Sequence, residues 1–469
     1  MNSRIIFLGI FLISVLCINA KIKVASVLGD NMVLQRNSEV KLWGTADVNQ
    51  KLTITTSWNK SKISTLTNSK GEWLVKVKTT EAGGPFIITI AAAKEKVKLH
   101  NILLGEVWLC SGQSNMEMPM LGYNDQPIVG SNDALSDANN CQIRLFTVKR
   151  VSIKTPQDTC TGKWEVATAK TVGQFSAVGY FFARHLQKTL NVPVGVINAS
   201  WGGSRIEAWI DTQTMQKFPE SLFITSQEKT SPNHRASHLY NGMIAPIKNM
   251  GIKGAIWYQG ESNRSEYQYY AGLMKAMTEQ WKNDFELTQL PFYFVQIAPY
   301  WYNNSKDILS GKFYDEQLKA SQQIPNAGMV ATVDFGEEFC IHPAEKKVVG
   351  QRLSYWALSE TYKMEGLAYK NPTFKSVEVK DSSLVIAFDN LVMGLTSFGK
   401  ELTNFEIAGD DKVFYPASAK IKSKQVILTA AEVKNPIAAR YAYINFPSGK
   451  GFLFNTAGLP VLPFRTDNW

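Results

Sequence analysis

The run Val107-Trp108-Leu109-Cys110 ends abruptly in Ser111-Gly112-Gln113-Ser114-Asn115. An uninterrupted apolar stretch that stops at small and polar residues predicts a buried strand delivering Ser114 to its carboxyl end, the edge where open α/β sheets place their ligand crevices. Taken alone such a turn is common. Three further stretches repeat it: Ser200-Trp201-Gly202-Gly203-Ser204, Trp257-Tyr258-Gln259-Gly260-Glu261-Ser262-Asn263 and Ile341-His342-Pro343 each follow an apolar, strand-like run. Four strand ends thus offer a serine, a glycine turn, side-chain amides and a histidine.

The segments between them have helical spacing. Phe175, Val178, Phe181, Phe182, Leu186 and Leu190 recur as one face of a helix closed by Asn191 and Pro193, and Val194 to Asn198 then reads as a strand. The unit repeats: strand at Gly254–Tyr258, helix from about 265 to 284, strand at 292–296, strand at 329–333, then a helix marked by Val348, Val349, Arg352, Leu353, Trp356 and Ala357. Alternating β and α units predict an α/β domain with a mostly parallel sheet covered on both faces. Right-handed crossovers bring the strand ends to one edge.

At 469 residues the chain exceeds one ordinary core and suggests about two or three domains. Residues 21–100 alternate short β-rich runs, among them 31–35, 39–44, 51–55, 72–77 and 86–90, with turn signals between them, the pattern of a β-sandwich. The α/β segment is expected over 101–370. After 371 the pattern is β-like again, at 384–388, 413–415, 425–428 and 441–444, as a second sandwich or as strands packed with the first.

Residues 1–20 read as a secretory signal, with Arg4, the apolar stretch Ile5–Leu16 and the small-residue exit Ile18-Asn19-Ala20. A secreted or periplasmic protein beginning at Lys21 is expected, with no membrane insertion once the signal is removed. The formal charge of +10 is scattered, and no basic run marks nucleic-acid binding. Cys141 and Cys160 flank one hairpin or loop where a disulfide is compatible with export. Cysteine spacing fits no zinc pattern, so neither a metal nor a cofactor is expected.

A serine hydroxyl needs a base within hydrogen-bond reach. Of five histidines, His342 alone lies just past an apolar strand and before a long helix, and is the candidate general base and acid. Asp334, at the end of Val330–Val333, is the candidate orienting acid, with Glu337 and Glu338 nearer in sequence and a Ser-His pair oriented by a backbone carbonyl as the alternative. Oxyanion donors are expected from the Ser114 N–H and Gly202 or Gly203, with Gln259 or Asn263 adding a side-chain amide. Glu261 reads as a loop-fixing acceptor, and no carboxylate pair for glycoside cleavage is evident.

The blocks Gly112-Gln113-Ser114-Asn115-Met116, Trp201 to Trp209, Leu239 to Pro246, Gln259 to Asn263 and Ile341-His342-Pro343, together with Met32 to Arg36 and Gly458 to Asp467, resemble the sialate O-acetylesterases of the SGNH-hydrolase superfamily. The resemblance spans nearly all of the chain after residue 20. It implies a flavodoxin-like SGNH-hydrolase domain flanked by β-sandwich-like segments, and release of acetate from O-acetylated sugars with Ser114 as nucleophile and His342 as base. Many members of that superfamily carry an aspartate three residues before the histidine, where this chain has Phe339. An α/β-hydrolase elbow would need glycine two residues after the serine, where Met116 stands. The family substrate points to O-acetylated sialic acid, whose carboxylate Arg205 is placed to pair with unless it braces the Gly202-Gly203 loop. Acetylated xylan or another polysaccharide is the nearest alternative sugar, and a noncatalytic carbohydrate-binding protein the alternative class. The sequence leaves the oligomeric state open.

Overall fold

The computed structural model describes residues 21–93, 95–222, 231–449 and 451–469. The expected signal over 1–20 lies outside the described residues. Among those described, no helix is long and apolar enough to cross a membrane.

The fold is built on one long strand, β1 (Lys96–Gly112), whose burial alternates at first and is then continuous from Ile102 to Gly112. The switch marks a change of environment. The first part pairs antiparallel with Gly83–Ala91 and parallel with Val33–Gln35. The second part is the centre of a sheet joined by β2 (Asn140–Thr147), β3 (Trp164–Ala167), β4 (Val194–Ser200), β5 (Gly254–Tyr258), β6 (Phe292–Val295) and β7 (Ala327–Val330). Their order is β3-β2-β4-β1-β5-β6-β7, with only β3 antiparallel. The boundary expected at 100/101 thus falls inside a strand shared by both regions.

Side chains of β1 alternate between two cores: Val107 and Leu109 join one cluster, Trp108 and Cys110 the other. The first is covered by α3 (Tyr270–Asp284) and α4 (Leu309–Gln323) through Leu273, Met277, Trp281 and Phe313. The second is covered by α2 (Ala177–Leu190) and α5 (Lys346–Trp356) through Val178, Phe182, Val349 and Leu353. Both faces being buried explains the unbroken apolar strands.

Register decides where the site falls. Ser200 and Tyr258 both lie opposite Gly112, so three carboxyl strand ends stop level with one another. Because β4 and β5 leave β1 on opposite sides, the crevice opens at a topological switch point.

Several expectations need adjustment. The strand expected at 329–333 ends at Val330, and the one expected at 441–444 runs Ala438–Tyr441. Residues 261–269 form a 3-10 segment ahead of α3 instead of its first turns, and α4, one of whose inward positions is a glutamine, was not among the expected helices. That residue, Gln317, is fully buried, accepting from the Ile297 N–H at 3.0 Å and donating to the Val295 carbonyl at 3.1 Å. The C-terminal strands form two four-stranded and one two-stranded antiparallel sheets around their own core, so no described C-terminal strand pairs with an N-terminal one. Cys141 and Cys160 are separate thiols; Cys160 sits against the Ser26 hydroxyl at 3.5 Å.

Candidate active site

Gly112 makes the approach to Ser114 possible. Its φ is +137°, and a Cβ there would lie 2.2 Å from the Tyr258 carbonyl oxygen, so only glycine lets β5 close against the end of β1. The chain then turns into the short helix α1 (Ser114–Glu117). Gln113 fastens the turn, donating its N–H to the Tyr258 carbonyl at 2.9 Å while its side-chain oxygen accepts from the Gly260 N–H at 3.1 Å.

Ser114 Oγ lies 2.7 Å from His342 Nε2. On the far side of the ring, His342 Nδ1 lies 2.7 Å from Gln126 Oε1. An amide oxygen only accepts, so Nδ1 carries the hydrogen and Nε2 is left as acceptor for the serine hydroxyl. Tyr123 packs edge-on against the imidazole, with centroids 5.3 Å apart. The loop bearing Tyr123 and Gln126 is closed by reciprocal backbone hydrogen bonds between these two residues and tied to the histidine loop by Val129 N–H donating to the Ala344 carbonyl at 3.0 Å.

Asp334 does not take part. Both of its oxygens are held by Arg352, at 2.8 and 2.7 Å, and this nearly buried pair fixes the start of the loop rather than the imidazole. Glu337 instead accepts from the Ala344 N–H at 2.8 Å. Removing one partner of such a pair costs about 3 kcal/mol or more. Asp334→Asn is therefore expected to lower thermal stability by that amount while leaving kcat of the folded enzyme in the same order of magnitude; a collapse of kcat without loss of stability would return Asp334 to the triad.

The side-chain amides expected as oxyanion donors are also spent elsewhere. Asn263 Nδ2 donates to the Glu207 carboxylate, 3.0 and 2.9 Å from its two oxygens, and Gln259 donates to the Ser204 carbonyl at 2.9 Å and to Asn263 Oδ1 at 2.8 Å. Both are fully buried scaffold. Arg205 is bonded to Glu207 at 2.9 Å and paired with Glu266 at 3.2 Å, so its charge is already met by two carboxylates and it braces the loop. Gly202 does border Ser114, since a Cβ on it would lie 3.4 Å from Ser114 Cβ, but its N–H donates to Glu117 Oε2 at 2.7 Å. Gly203 adopts a left-handed φ of +68°, and its carbonyl accepts from Ser262 Oγ at 3.0 Å.

Two further layers were not legible in the sequence. Glu117 also holds Arg150 at 2.6 Å, and that guanidinium lies 5.7 Å from the Trp201 ring centroid, a half-exposed cation beside the serine turn. Beneath the site, fully buried Asn115 donates to Glu261 Oε1 at 2.6 Å and to the Ile341 carbonyl at 3.0 Å, and accepts from Lys346 Nζ at 2.5 Å. The residue after Ser114 thus clamps the histidine loop. Lys346 had a signal: it sits three positions before Val349 on the buried face of α5. Gln126 had none, lying in a polar loop without periodicity.

Burial disfavours the charged forms of Lys346, Glu261 and His342. It pushes the Lys346 ammonium down to about 7 and raises the Glu261 carboxyl. His342 is lowered from 6.5 to about 4, mainly by burial and then by the neighbouring Lys346 charge. A base must be unprotonated to act, so activity is expected to fall only as pH drops through about 4. A kcat/KM profile whose acid limb lay near 6.5, the ordinary histidine value, would contradict this environment.

A cavity of about 690 Å³ lined by Arg36, Lys253, Tyr293 and Trp356 lies at the amino ends of β6 and β7, away from Ser114. The family model for carbohydrate esterases described as sialic acid-specific acetylesterases matches residues 104–356, more than half of the chain, and takes in Ser114, Gln126 and His342. Sialate O-acetylesterases of Mus musculus and Homo sapiens are each 28% identical to it, the mouse protein over 94% of this chain and 93% of its own length and the human one over 90% and 88%. A carbohydrate acetylesterase from Xanthomonas citri superposes with a TM-score of 0.87 at 32% identity, covering 96% of this chain and all of the other. With the match spanning the sheet, the serine turn and the histidine loop together, the chain belongs to the sialic acid-specific acetylesterase family of carbohydrate esterases.

Proposed function

We propose that the protein is a secreted or periplasmic serine esterase of the SGNH-hydrolase superfamily that releases acetate from O-acetylated sialic acid. The observation that carries the reading is the unbroken chain from Ser114 Oγ to His342 Nε2 and from Nδ1 to Gln126 Oε1, both links 2.7 Å. The strand order second-first-third-fourth-fifth of β4, β1, β5, β6 and β7 is that of flavodoxin-like sheets and supports the superfamily assignment. Export rests on the signal-like character of residues 1–20.

In this mechanism Ser114 Oγ attacks the acetyl carbonyl carbon as its proton passes to His342 Nε2. The Ser114 N–H is the donor assigned to the developing oxyanion. The imidazolium then protonates the departing sugar oxygen, leaving an acetyl-serine. Water, deprotonated by the same nitrogen, attacks that ester; acetate leaves and the serine recovers its proton. Gln126 holds one tautomer throughout. Arg150, ion-paired with Glu117 and half exposed beside the turn, is the candidate partner of the sugar carboxylate.

A second reading keeps this chemistry and changes the sugar to an acetylated polysaccharide such as xylan; the Xanthomonas protein, 32% identical, is described as a carbohydrate acetylesterase, a description that fits either sugar. Acetate release from 9-O-acetylated sialic acid and from acetylated xylan, measured side by side on the purified protein, separates the two. Release from xylan alone would refute the sialate assignment, and release from neither would refute both.

A further inference from the structure

Two aromatic side chains stand in solvent on the lip that carries His342. Phe339 is 75% exposed and Trp301 36%, and their rings meet edge-on with centroids 5.7 Å apart. They come from different strand ends, Trp301 after β6 and Phe339 after β7, and Trp301 N–H donates to the Glu338 carbonyl at 3.0 Å, fastening the two loops together. The Trp301 loop is braced from behind by the C-terminal segment. Fully buried Asn445 accepts from Arg264 at 2.8 Å and from the Ser310 hydroxyl at 2.9 Å, and donates to the Asn304 carbonyl at 2.8 Å. Arg264 in turn lies 3.6 Å from the centroid of the Tyr302 ring. Tyr302 is thereby held inward while its neighbour Trp301 faces out on a fixed frame. Large apolar rings kept in water on a braced loop beside a reactive centre mark a binding surface.

Size selects the occupant. An aromatic side chain offers about 150–250 Å², so two of them fall well short of the roughly 800 Å² per partner that a stable protein interface needs. A single pyranose ring, with an apolar C–H face and a wet rim of hydroxyls, fits that area and the open setting. Phe339 lies three residues from His342, at most about 10 Å along an extended chain, which is the neighbourhood of the sugar adjoining the one being deacetylated. We infer that Trp301 and Phe339 form a stacking platform for that adjoining sugar, so that the enzyme removes acetyl groups from sugars linked within a glycan in preference to free monosaccharides. This rests on the esterase reading above.

The test compares kcat/KM on 9-O-acetylated sialyllactose with free 9-O-acetylated sialic acid, and on acetylated xylotetraose with acetylated xylose, with 4-nitrophenyl acetate as the sugar-free reference. Within whichever pair is cleaved, the linked sugar is expected to be preferred. Phe339→Ala and Trp301→Ala should each cut that preference roughly tenfold, and Trp301→Phe should restore most of it. Equal rates on linked and free sugar, or a preference that survives both alanine variants, would overturn the platform. Hydrolysis of 4-nitrophenyl acetate with no sugar ester cleaved would overturn it too. A wild-type protein inert on 4-nitrophenyl acetate as well would overturn the esterase reading and the platform with it.

Discussion

Ser114→Ala is expected to lower kcat on an acetyl ester by about 10⁶-fold, the scale seen when a serine that acts as a unit with its base is removed. The variant should remain folded. The hydroxyl is hydrogen-bonded to His342 Nε2, and losing one such hydrogen bond costs only about 1 kcal/mol. Circular dichroism and thermal melts of the two proteins should therefore superpose while acetate release disappears. A variant that keeps a tenth of the activity would transfer the nucleophile to another residue.

The second large effect is expected at Gln126. Its amide oxygen is the partner of His342 Nδ1, and in the transition state that ring becomes cationic. A hydrogen bond to a charged group contributes about 1.5–3 kcal/mol, so Gln126→Ala should lose roughly ten- to a hundredfold in kcat. Gln126→Glu should keep the acceptor and add a negative charge. A carboxylate beside the imidazole favours its protonated form, so the acid limb of the pH profile should move up from about 4. A merely structural glutamine would not move that limb. Full activity in Gln126→Ala with an unchanged profile would show that the imidazole needs no side-chain orienter.

The division between what the sequence disclosed and what it did not follows physical lines. β1, β4 and β5 were legible because they are buried on both faces and therefore continuously apolar, and their ends displayed Ser114 and Gly202 in plain sequence. His342 stood out by position, between the end of β7 and the start of α5. Polar scaffolding was opaque. Gln259 and Asn263 have the right chemistry for an oxyanion, and only the structure shows their hydrogens spent on Ser204, Asn263 and Glu207. Asp334 sits at a suggestive strand end, yet Arg352, on the face of α5 turned toward it, claims both oxygens. Gln126 is 216 positions from His342, and long-range pairing of a loop amide leaves no periodic trace.

The proposed mechanism requires Ser114 to be an activated nucleophile. The most direct measurement is to treat the native protein with a fluorophosphonate, which reacts covalently with activated serines, and to locate the label by peptide mass mapping. A single label is expected on the peptide containing Ser114, absent from Ser114→Ala and lost when the protein is unfolded first. No label on the folded protein, or a label on any other serine, would contradict it.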